Sequence, residues 1–146
     1  MRRKALLCGL LVFLLAQATP TAAQVRGTIF GPGAKQYPVA VSALKGTGAT
    51  GADQLSLLFA DVLSRDLELS GLFRVVPRTA YIEAPDTSGV TEDTINFDNW
   101  SVIGALGLVK GTLTGAGEDV TIEVRLFDVS QRRQLIAHRY RGGQEG

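Results

Sequence analysis

Cysteine and histidine are almost missing from this chain. Each occurs once in 146 residues. Cys8 lies inside the apolar run Ala5–Ala16, so the rest of the chain can form no disulfide, cysteine metal site or thiol nucleophile. His138 has no second histidine beside it for a zinc site, and no G-x-S-x-G elbow accompanies it, so it reads as an ordinary sheet residue. Charge of one sign is also lacking: 15 basic against 14 acidic residues give a formal charge of +1. That balance supplies no electrostatic footprint for nucleic acid. Long apolar runs are lacking too. The longest is about 12 residues, where a membrane-spanning helix needs about 20.

The chain begins with Met1-Arg-Arg-Lys4, continues through that apolar run and reaches Thr21-Ala22-Ala23. A basic start, a short apolar stretch and small residues predict a secretory signal peptide over 1–23, cleaved before Gln24. Its removal takes away Arg2, Arg3 and Lys4 and no acid, moving the formal charge from +1 to −2. The expected location is the periplasm, with no stable membrane insertion once the signal is gone. About 123 residues remain, enough for one domain with its own core.

Residues 24–37 read as an extended segment in which Val25, Thr28, Ile29 and Phe30 favour strand while Gly27, Gly31, Pro32 and Gly33 interrupt it. Two readings stand on composition: a frayed chain end, or a strand offered to a partner's sheet. Pro38–Leu44 is a β-type run ended by Lys45, and Gly46–Gly51 is a glycine-rich loop. Ala52–Ser70 predicts a helix, with Leu55, Leu58, Phe59, Val62, Leu63 and Leu67 at helical spacing and Gly71 as a left-handed stop. Leu72–Val76 reads as a strand, and Phe97–Leu106 as a second helix capped by Asn96 or Asp98 with Trp100 inside. Strands follow at Gly107–Thr114, Asp119–Val129 and Gln134–Arg141, the middle one alternating cleanly. The order β-α-β-α-β-β-β predicts an α+β fold, a mixed sheet of about five strands with two main helices on one face.

Gly46-Thr-Gly-Ala-Thr-Gly51 matches G-x-G-x-x-G between a strand and a helix, the context of a dinucleotide site. The next strand ends at Val76-Pro77-Arg78 with no acid for a ribose, and an antiparallel meander follows, so a turn is the better reading. Glu83, Asp86, Glu92, Asp93 and Asp98 lack calcium-loop spacing and read as a solvated loop. Arg132, Arg133, Arg139 and Arg141 read as a solvated strand edge. No catalytic, cofactor or metal residues are expected.

Four stretches together resemble the TolB family of the Tol–Pal envelope system, in its N-terminal domain. They are Gln24–Phe30 after the signal, Phe59–Leu67 leading into Ser70–Pro77, Ile95–Trp100 leading into Ile103–Gly111, and Glu123–Asp128. The resemblance implies a domain over 38–146 with a mixed sheet and a non-enzymatic adaptor role. It implies that Val25, Arg26, Thr28, Ile29 and Phe30 bind the C-terminal domain of TolA. It implies that Pal binds only through a β-propeller which, with the family's next helix, would lie beyond Gly146. The role implied is support of outer-membrane integrity and of invagination at division. A related envelope-assembly module, such as a lipoprotein activator or secretion-channel domain, is the alternative reading, and an exported nucleotide-binding enzyme a third.

Overall fold

The computed structural model describes residues 35–48, 51–116 and 119–143. The signal peptide and the segment containing Val25, Arg26, Thr28, Ile29 and Phe30 lie outside them. Among the described residues six strands and two helices run in the order β1 (Tyr37–Val41), β2 (Lys45–Thr47), α1 (Ala52–Leu69), β3 (Phe73–Val75), α2 (Phe97–Val102), β4 (Gly107–Ala116), β5 (Asp119–Asp128) and β6 (Arg133–Gly143), with a 3₁₀ turn at Arg78–Ala80. The sheet order is β3-β1-β4-β5-β6, with β2 also paired to β4. β1 lies parallel to β3 and to β4, whereas β4, β5 and β6 form an antiparallel meander.

The expected α+β class and mixed sheet hold, and two particulars are corrected. The first is strand number. Lys45–Thr47, read from sequence as the end of a run and the start of a loop, pairs parallel with Thr112–Thr114. β1 and β2 therefore occupy one lane beside β4, interrupted at Ser42–Leu44. The interruption has a cause: the Leu44 carbonyl turns to accept the Ser56 hydroxyl of α1 at 2.5 Å, and the Val41 N–H donates to the Tyr81 hydroxyl at 2.8 Å. Gly46 permits the tight approach that follows, since a Cβ there would meet the Ala52 Cβ at 3.0 Å.

The second correction concerns the helices, which lie on opposite faces of the sheet. Side chains alternate along a strand. Val39, Val41 and Val109 pack with Ala60, Leu63 and Leu67 of α1, whereas Ala40 and Leu108 pack with Phe97 and Trp100 of α2. The contact face of α1 is small, with Ala52, Ser56 and Ala60 buried at four-residue spacing, which brings helix and sheet close. Leu58 and Val62, two of the apolar residues at helical spacing, are 57% and 52% exposed.

Local signals set the boundaries. α1 ends as expected at Gly71, whose φ is +71° and whose N–H donates to the Glu68 carbonyl at 3.0 Å. α2 is shorter than expected because Gly104, at φ +79°, reverses the chain. Leu106 then donates to the Pro38 carbonyl at 2.9 Å and enters β4. The core beneath α2 holds Trp100, Leu108 and Phe127, each 0–1% exposed, with Phe97 edge-on to Phe127 at 5.9 Å between ring centroids. No described helix is long and apolar enough to cross a membrane.

Candidate functional site

The long connection from Val76 to Asn96 covers the α2 face of the sheet, and polar side chains fasten it there. Lys110, on β4 between two buried apolar positions, is 1% exposed. Its ammonium donates to the Ser88 hydroxyl, stands 3.7 Å from the Glu83 carboxylate and lies 5.1 Å from the centroid of the Trp100 ring. Ser88 in turn donates to Glu83, whose other oxygen accepts from the Asn99 amide of α2 at 2.9 Å. Burial pushes the Lys110 amine down to about 8, against the opposing pull of Glu83. Sheet, loop and helix thus meet at one charged cluster.

A serine touching a lysine of lowered pKa has the makings of a nucleophile and its base. The surroundings oppose that use. Ser88 is buried, and its hydroxyl is occupied on both sides. The clefts near the loop are lined by Ala43, Leu57, Glu83 and Pro85 among others, and neither Ser88 nor Lys110 lines them. The cluster holds the connection in place, and neither Ser88 nor Lys110 presents a reacting atom to those clefts.

Further fastenings run along the same connection. The Tyr81 hydroxyl, besides accepting from Val41, reaches the Val76 carbonyl at 3.2 Å, and its ring meets Trp100 edge-on at 5.0 Å. Burial raises the Tyr81 phenol above its ordinary range. Arg125 of β5 donates to the Val90 carbonyl at 3.0 Å, Glu92 accepts from the Gln134 N–H, and Arg132 pairs with Asp98 at 2.6 Å. This corrects the solvated reading for Glu83, whose side chain is largely buried; Glu92 and Asp98 are exposed as expected, and each also meets another element.

The glycine motif also acquires a structural explanation. Gly46 admits Ala52, while Gly48 and Gly51 both sit at φ +81°, the second at the entry to α1. The cleft beside it is lined by Asp53 and Asp86, whose carboxylates oppose a pyrophosphate. His138 stands in β6 opposite Val124, tilted against Tyr140. Among the described residues no group of three or more His, Cys, Asp or Glu is placed to hold a metal ion.

Sequence reasoning missed Lys110, Ser88 and Tyr81. The available signal was Lys110 itself, a single charge inside the apolar run Leu108–Leu113.

Comparison with known proteins places this geometry. Residues 26–135 match the TolB amino-terminal domain family. Among curated relatives, the Tol-Pal system protein TolB of Syntrophotalea carbinolica is 36% identical over 133 residues, covering 91% of this chain and 30% of the relative. That of Desulfosudis oleivorans is 34% identical, covering 97% and 32%. The chain thus spans about a third of the length of these relatives. Among solved structures, TolB from Acinetobacter baumannii superposes with TM-score 0.55 at 15% identity over 76% of this chain and 24% of that one. The LpoB C-terminal domain from Salmonella enterica gives 0.55 at 13% identity over 75% and 83%. At such identities the structural likeness concerns the fold alone.

Proposed function

Since this chain belongs to the TolB amino-terminal domain family, we propose that it serves as a non-enzymatic periplasmic adaptor of the Tol–Pal system. Its working contact is the segment Val25, Arg26, Thr28, Ile29 and Phe30, which adds as a strand, or docks in a groove, on the C-terminal domain of TolA. Backbone hydrogen bonds supply much of the affinity and alternating side chains the selectivity. Through that contact the chain supports outer-membrane integrity and invagination at division. Binding of Pal is assigned to the propeller of the longer relatives rather than to this domain.

The observation that carries this reading is the family match over residues 26–135, which takes in Arg26, Thr28, Ile29 and Phe30 together with β1 to β5. The alternative of a lipoprotein-activator-like module shares the fold with LpoB at 13% identity and no more. The test is calorimetric titration of the TolA C-terminal domain with the chain starting at Gln24 and with one lacking residues 24–30. The reading expects binding by the first and its loss in the second. Equal affinities would refute it.

A further inference from the structure

The two margins of the sheet are unequal. β3 is a three-residue edge. β6 is an eleven-residue edge, and among the described residues no strand lies beyond it. Alternate N–H and C=O groups of such a strand point away from the sheet and can pair with another chain. β6 stays in register with β5 from Arg133 to Gly143 apart from one irregularity between Leu126 and Phe127. Leu135 falls out of register there, between Gln134 and Ile136, and from Ile136 to Gly143 the pairing is continuous, which leaves eight residues of regular margin for a partner.

The side chains along β6 state what that partner should carry. On one face Arg139 and Arg141 stand beside Glu123 and Thr121, and on the other Ile136, His138 and Tyr140 stand beside Leu126, Val124 and Ile122. Arg139 is engaged by Glu123 at 2.6 Å, and Arg141 holds no ion pair among the described residues. The strand contains no acidic residue, while Ile136 and Tyr140 are about half exposed. The protein itself supplies a precedent, since the Glu92 carboxylate already takes the amide of Gln134 at the start of β6.

We propose that the outer edge of β6 receives an extended segment of a partner protein that alternates acidic with apolar residues, the acids meeting Arg139 and Arg141 and the apolar side chains covering Ile136 and Tyr140. Opposite charges across a strand pair attract and like charges repel. A second copy of this chain is therefore a poor occupant: antiparallel pairing of two β6 strands would gather both copies' Arg139 and Arg141 on one face. The inference is independent of the contact assigned to residues 25–30, which lies elsewhere in the chain.

The test uses the ¹⁵N-labelled chain from Gln24 to Gly146. It is titrated with an acetylated peptide of about eight residues alternating glutamate and valine, and with the same peptide carrying lysine in place of glutamate. The acidic peptide should shift amides of Arg133–Gly143 saturably and lose affinity as salt rises, and the basic one should not bind. Arg141→Glu should weaken the acidic peptide about tenfold. The variant's thermal midpoint, expected to equal the parent's, shows that the fold is intact. No shift up to about 1 mM peptide, shifts centred away from β6, equal binding of the basic peptide, or unchanged affinity in Arg141→Glu would each overturn the proposal.

Discussion

Replacing Lys110 by methionine removes a buried charge while keeping the length of the side chain, and its effect should depend on pH in a calculable way. The amine titrates at about 8 in the folded protein against an ordinary value of 10.5, with burial as the largest cause. Below pH 8 the lysine is protonated in both states, and the folded protein bears the full cost of burying it. Between pH 8 and 10.5 the unfolded chain holds the proton and the folded one does not, so stability rises with pH. Each unit is worth about 1.4 kcal/mol, which makes the whole effect roughly 3 kcal/mol and the part between pH 8 and 9.5 about 2 kcal/mol. Urea unfolding followed by fluorescence of Trp100, the only tryptophan, measures it at pH 7, 8, 9 and 9.5. Both proteins share every other titrating group, including Tyr81, so the difference between them isolates Lys110. The parent should gain about 2 kcal/mol on the variant across that window. Parallel stability curves would show that folding does not perturb the Lys110 amine, and the account of its uncompensated burial would fail.

Other expectations are as direct. Tyr81→Phe leaves the Val41 N–H without the hydroxyl that accepts it and should cost about 1–3 kcal/mol in the same urea assay. Gly111→Ala forces a methyl group against the Glu123 carbonyl and should cost about 1–3 kcal/mol or prevent folding, read as lost expression of soluble protein. Leu58→Gln, at a position more than half exposed, should change stability by less than about 0.5 kcal/mol, whereas Phe127→Ala in the core should cost about 3–5 kcal/mol.

How far the sequence could be read depended on whether a signal was local. α1 was visible because its apolar residues recur within a few positions and Gly71 marks its end. Its inner face was not, because periodicity counts apolar residues without showing which of two adjacent stripes meets the sheet. Ala52, Ser56 and Ala60 won that contact because small side chains allow a closer approach. The β4–β5–β6 meander was legible from alternation. β2 was hidden, since three residues, Lys45, Gly46 and Thr47, are too few to carry a strand pattern of their own and are held by a neighbour more than sixty positions away. The side of the sheet taken by α2 was likewise decided in part by Ala40, which lies too far back along the chain for any local window to span. The same holds for the cluster at Lys110, whose partner Ser88 lies 22 positions earlier. The family resemblance drawn from four separate stretches was borne out by the match over residues 26–135.

The adaptor reading places the contact with TolA in a short segment ahead of the sheet rather than in the folded domain. A synthetic peptide covering residues 24–34 therefore gives the most direct measurement, as a competitor of the whole chain for the TolA C-terminal domain in a fluorescence-anisotropy assay. The account predicts that the peptide displaces the chain completely. Failure to displace it at any concentration, while the chain itself binds, would place the contact on the folded domain and contradict the account.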